Sequence, residues 1–85
     1  MFHKVQAVQP LPDYRLLVRF DDGTQKAYAV RPLFEKWEAF QALAYVQGLW
    51  NQVKVDAGGY GISWNDDIDL SCDELYHNGT EVAHE

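Results

Sequence analysis

The 85-residue chain has one cysteine, Cys72, so it contains no internal disulfide. No apolar run exceeds a few residues, which excludes a transmembrane helix. The start, Met1-Phe2-His3-Lys4, lacks the apolar stretch of a secretory leader. A reducing cytoplasm is the expected compartment. Histidine is scarce: His3, His77 and His84 show no metal-ligand spacing, and with one cysteine they do not make a four-ligand zinc site. No cofactor is expected. Basic residues stop at Lys54. Residues 1–54 carry seven positive and five negative charges, a net of +2, whereas residues 55–85 carry eight acids and no base, a net of −8. The overall −6 argues against nucleic-acid backbones and anionic membranes, which need a positive face. It suits a basic protein partner or a cation. The plainer reading of the acids is a solvated face.

What is present is apolar and aromatic. Hydrophobic residues make up 47%, with three Trp, five Tyr and four Phe, which excludes disorder for the body of the chain. One small core is expected, and no linker, repeat or low-complexity segment divides it.

Lys4 to Gln9 reads as a first strand that stops at Pro10 and Pro12. In Tyr14 to Phe20, Tyr14, Leu16, Val18 and Phe20 alternate with Arg15, Leu17 and Arg19, the pattern of a half-buried strand. Asp21-Asp22-Gly23 then turns the chain into a return strand, Thr24 to Val30. Pro32 suits a first helical turn, and Leu33, Trp37, Phe40 and Ala44 share one helical face up to Gly48. Two shorter helical pieces broken between Leu43 and Gln47 fit equally well. Gln52 to Val55 and Tyr60 to Trp64 read as strands. The second places Tyr60, Ile62 and Trp64 opposite a face bearing only Gly61 and Ser63, to be covered by another backbone or by a ligand or partner. Ser71-Cys72-Asp73-Glu74 matches a capping box opening a short helix that Asn78-Gly79 ends. The expectation is an α+β, two-layer domain over residues 1–79. It has an antiparallel sheet of about five strands: a three-strand start, a helix, two strands and a short C-terminal helix. Residues 80–85 are expected to fray.

No reactive centre assembles from these residues. Gly58-Gly59-Tyr60-Gly61 leads into a strand in the acidic third, whereas a phosphate cradle opens a helix. A calcium loop starting at Asp67 fails at its sixth position, Cys72, and its twelfth, Asn78. Acids at 69, 73 and 74 oppose a thiolate at Cys72, and His77 is only loosely in reach. Paired carboxylates such as Asp67 and Asp69 lack the dry cleft that general acid–base chemistry needs in so small a domain. An enzyme is not expected.

The run Val53-Lys54-Val55-Asp56-Ala57-Gly58-Gly59-Tyr60-Gly61-Ile62-Ser63-Trp64-Asn65, then Ile68-Asp69-Leu70-Ser71 and Glu74-Leu75-Tyr76, resembles the small bacterial DUF2442 family. Val8-Gln9-Pro10-Leu11, Tyr14 to Gly23 and Val30-Arg31-Pro32-Leu33 are similar too, so the resemblance runs from about Val5 to Tyr76. It implies a compact α+β unit with an antiparallel sheet and no assigned chemistry. It also implies membership of a small two-protein arrangement similar to toxin–antitoxin pairs. Some members add a helix-turn-helix, for which this chain has no room, so direct DNA contact is not carried over.

The expected function is that of a non-enzymatic protein-interaction module, the partner or antitoxin-like component of such a pair. Its surface is expected at Gly59, Tyr60, Gly61 and Trp64, with Asp66, Asp67 and Asp69 steering a basic partner. A small-ligand or divalent-cation site over Gly58 to Asp69 is the alternative. Self-association into a homodimer through a sheet edge or apolar patch is the third reading.

Overall fold

Alternating side chains in the first thirty residues set the larger of two sheets. A computed structural model describes residues 3–82. Its strands are β1 (Val5–Leu11), β2 (Arg15–Phe20), β3 (Gln25–Ala29), β4 (Lys54–Val55), β5 (Gly61–Asn65), β6 (Ile68–Ser71) and β7 (Thr80–Glu81). Its helices are α1 (Leu33–Lys36), α2 (Ala42–Tyr45) and α3 (Cys72–Asn78). The domain is α+β as expected, but the described strands number seven and form two antiparallel sheets, ordered β1-β2-β3-β7 and β4-β5-β6. Leu16, Val18 and Phe20 on β2 and Tyr28 on β3 are buried, and they join Ile62, Trp64, Ile68 and Leu70 of the small sheet in one core. Leu33, Phe40, Leu43 and Leu49 close it from the central segment, and Cys72 and Leu75 from α3.

Four expectations are corrected. First, β1 does not stop at Pro10. Pro10 stands opposite Leu16, and because β1 is a sheet edge the missing N–H costs no ladder bond. Second, Tyr14 is not in β2. Asp13 (φ 65°) and Tyr14 (φ 57°) both take left-handed backbone, which costs each about 1–2 kcal/mol. Tertiary contacts hold them there: the Tyr14 carbonyl accepts from Val30 N at 2.9 Å, and its ring meets Phe34 and Trp50 edge-on at 5.1 and 5.2 Å.

Third, the helix from Leu33 is not continuous: α2 ends at the extended Val46 (φ −86°, ψ 112°), within the expected Leu43–Gln47 break, and an earlier break was not expected. It breaks at Trp37, which is extended (φ −133°, ψ 122°), into α1, a 3₁₀ turn over Glu38–Gln41, and α2. No residue there disfavours helix, so packing decides. A straight helix over 33–44 would run about 18 Å in one direction. The bend points Leu33, Phe40 and Leu43 into the core while turning Trp37 and Ala44 outward. Fourth, the tail does not fray from residue 80. Ala27 pairs with Thr80 and Lys26 with Glu81, and Val82 N donates to Gln25 O at 2.9 Å. Residues 83–85 lie outside the described part.

Half of the capping box forms. The Ser71 hydroxyl accepts from Glu74 N at 3.1 Å. The Glu74 carboxylate turns away to accept from the Tyr28 hydroxyl at 2.7 Å, tying α3 to β3. Burial, then the bond and charge of Glu74, push the Tyr28 pKa well above the usual tyrosine value. A group whose folded pKa is raised stabilises fully below its unfolded pKa, about 10 for tyrosine, and loses that contribution as pH rises further. Thermal melts should therefore show wild type losing stability steeply above pH 10. Tyr28→Phe should be about 1.5 kcal/mol less stable at pH 7 but fall less steeply above pH 10. Parallel alkaline limbs would rule this linkage out.

Candidate interaction surface

The residues expected to form one surface are divided by the β5–β6 hairpin. Trp64 is 4% exposed and belongs to the core. Its indole Nε1 donates to the Trp50 carbonyl at 3.1 Å, its ring stacks on Trp50 at 5.7 Å, and Phe40 meets it edge-on at 6.1 Å. It is therefore not a surface anchor. Pairing along β5 has a bulge here, since Ser63 faces Asp69 and Asn65 faces Ile68, leaving Trp64 as the extra residue.

Tyr60 precedes β5 and is 67% exposed, with the Lys4 ammonium 5.7 Å from its ring centre. The glycines beside it are structural. Gly59 is buried at φ 77°, and a Cβ there would meet the Val5 carbonyl at 2.8 Å. At Gly61 a Cβ would meet the Leu70 carbonyl at 2.5 Å. The bare face of the strand is thus covered by neighbouring backbone at Gly61. At Ser63 it is covered by the Asp56 carboxylate, which accepts from the Ser63 hydroxyl at 2.6 Å. Asp66 and Asp67 sit at the far end of β5, about 17 Å from Tyr60 at strand rise, and Asp69 faces outward on β6.

The acids have different neighbours from those expected. Between the Glu38–Tyr45 stretch and the β5–β6 turn runs a groove of about 570 Å³ lined by Glu38, Tyr45, Asn65, Asp67 and Ile68, among others. It shares Glu38, Ala39 and Asp67 with a second hollow of about 450 Å³ that reaches Trp37, Phe40 and Asp69. Trp37 is 45% exposed and Tyr45 75%, and Val46 lies exposed beside them. Neither hollow is lined by a basic residue. The Lys36 ammonium lies 5.0 Å from the Trp37 ring centre. The Asn65 side chain accepts from Asp67 N at 2.9 Å and fixes the turn that carries the acids. Three carboxylates and two aromatic rings can take a guanidinium or ammonium with an apolar stem, by bidentate bonding and by contact with ring faces. The helical periodicity of 33–44 assigned Trp37 inward and so concealed it. Tyr45 stood off that apolar face, which was the available signal.

Cys72 is buried, and its thiol donates to the His3 carbonyl at 3.1 Å. Burial, then the charges of Asp73, Asp21 and Asp22, raise its pKa. His77 makes its ring contact with Tyr76, at 5.9 Å. Since reactivity follows the thiolate, iodoacetamide at pH 8 should alkylate the folded chain at least about tenfold more slowly than the urea-unfolded chain. Equal rates would show an activated thiol. Nearby, Asp22 joins the first hairpin to α3. It accepts from Thr24 N at 2.8 Å and from the Tyr76 hydroxyl at 3.0 Å, with His3 Nδ1 at 3.6 Å. The Thr24 bonds foremost lower its pKa.

Among the described residues, no group of three or more His, Cys, Asp or Glu could hold a metal ion. No helix among them is long and apolar enough to cross a membrane. No curated protein and no solved structure matches the chain. A family model described as "Protein of unknown function (DUF2442)" matches residues 5–81, nearly the whole chain. The chain belongs to the DUF2442 family.

Proposed function

We propose that this chain is a non-enzymatic interaction module that binds a basic segment of another protein in the groove between Trp37, Tyr45 and the β5–β6 turn. What supports the reading is the coincidence of two large exposed aromatics with Glu38, Asp67 and Asp69 around one groove free of basic lining residues. Aromatic anchors supply most of an interface's energy, and surrounding charges act chiefly on encounter rate and partner choice. Of the surface expected from the sequence, the acids are retained. The anchors become Trp37 and Tyr45 in place of Tyr60 and Trp64. No cluster of ligands among the described residues supports the divalent-cation alternative.

The test is co-purification of the tagged chain from the cell that makes it, followed by surface-plasmon kinetics on the captured partner. Asp66→Asn with Asp67→Asn should slow association about threefold to tenfold and flatten its salt dependence. Unchanged kinetics and salt response would remove the steering role.

A further inference from the structure

The outer face of the larger sheet has the opposite character. Strand register places Ala7, Gln9, Arg15, Leu17, Arg19 and Ala27 on one side. The other side carries the buried Leu16, Val18, Phe20 and Tyr28. Arg15 and Arg19 are exposed on the inner strand β2 and flank the half-buried Leu17. Among the described residues, no carboxylate lies within ion-pair distance of either guanidinium. A shallow hollow of about 320 Å³ runs over this face between Ala7, Gln9, Leu17 and Arg19.

We propose that this face is a second docking surface, for an amphipathic helix of a partner protein that carries two carboxylates flanking an apolar residue. Three observations support it. Sheet faces with a small, apolar centre are packed in proteins by a helical layer, and Leu17 with Ala7 and Ala27 makes such a centre. Charge complementarity selects acids. The register puts Arg15 and Arg19 on this face, whereas the one acid of β7, Glu81, pairs with Lys26 on the side of the sheet that carries Val18. The spacing selects a helix. Arg15 and Arg19 are about 13 Å apart along the strand, and carboxylates seven or eight positions apart on a helix are about 10.5–12 Å apart, with an apolar residue midway to meet Leu17. This proposal is independent of the acidic groove.

The probe is a stapled helical peptide with Glu at positions i and i+7 and Leu at i+3 and i+4, titrated into the ¹⁵N-labelled full chain. Shifts are expected at Ala7, Leu17 and Ala27. Affinity should weaken about tenfold or more in Arg15→Glu with Arg19→Glu, and equally with a Glu→Gln version of the peptide, which leaves the chain untouched. Asp67→Asn with Asp69→Asn should leave affinity unchanged. The proposal is overturned by absence of shifts, by shifts centred on Trp37 and Asp67, or by affinity insensitive to both charge changes. It is also overturned if a single-stranded oligonucleotide gives arginine-dependent shifts on this face and the peptide gives none.

Discussion

Trp64→Ala is expected to cost about 3–5 kcal/mol in urea unfolding, a large share of the roughly 5–15 kcal/mol that holds a small domain together. The substitution removes a buried indole from between Trp50 and Phe40 and leaves the Trp50 carbonyl without its donor. Few neighbours can refill the space, because Trp64 bridges the small sheet and the central segment, and movement of either would disturb the single core. Tyr60→Ala, by contrast, should change stability by no more than about 0.5 kcal/mol, since the ring is mostly in solvent. Similar small costs at both positions would place Trp64 outside the core and return it to the surface.

This pair of residues shows what the sequence could and could not reveal. Period-two alternation correctly placed Leu16, Val18 and Phe20 on the inner face of β2, because one buried face leaves register little freedom. The Asp22-Gly23 turn and the Ser71 cap were legible because each depends on local hydrogen bonds or a positive φ. Tyr60 and Trp64 looked equivalent, since alternation alone does not say where a strand begins. Tyr60 lies one residue before β5, where its carbonyl receives Cys72 N at 2.8 Å, and its ring leaves the sheet. The break at Trp37 had no local signal at all. Four-residue helical turns are not stable in isolation, so their boundaries are set by what the core accepts. Strand β7 was missed for the same reason: Thr80 and Glu81 bury nothing, and they are ordered only by the ladder that β3 offers. The acids at 66, 67 and 69 were legible as a cluster. Their aromatic neighbours were not, because these come from a segment more than twenty residues earlier.

The second large effect concerns binding. Trp37→Ala combined with Tyr45→Ala should weaken partner binding by two orders of magnitude or more, at about 2 kcal/mol for each interface aromatic. Folding should be little affected, since Tyr45 is 75% and Trp37 45% exposed, with the Trp37 ring meeting Phe40 in a tilted contact at 5.6 Å. A loss of binding with an unchanged unfolding midpoint would separate an interface role from a structural one. The same double change should leave the helical-peptide titration of the β2 face unaltered, because the two surfaces share no residue.

The proposed function puts the usable anionic surface at the Trp37–Tyr45 groove. Its most direct test is a side-by-side equilibrium titration of the natively co-purified partner against wild type, Trp37→Ala/Tyr45→Ala and Tyr60→Ala. At about 2 kcal/mol for each aromatic, the double variant should show a Kd weaker by two orders of magnitude or more, and Tyr60→Ala an unchanged Kd. A Kd that weakens at Tyr60 and holds at Trp37 and Tyr45 would contradict it.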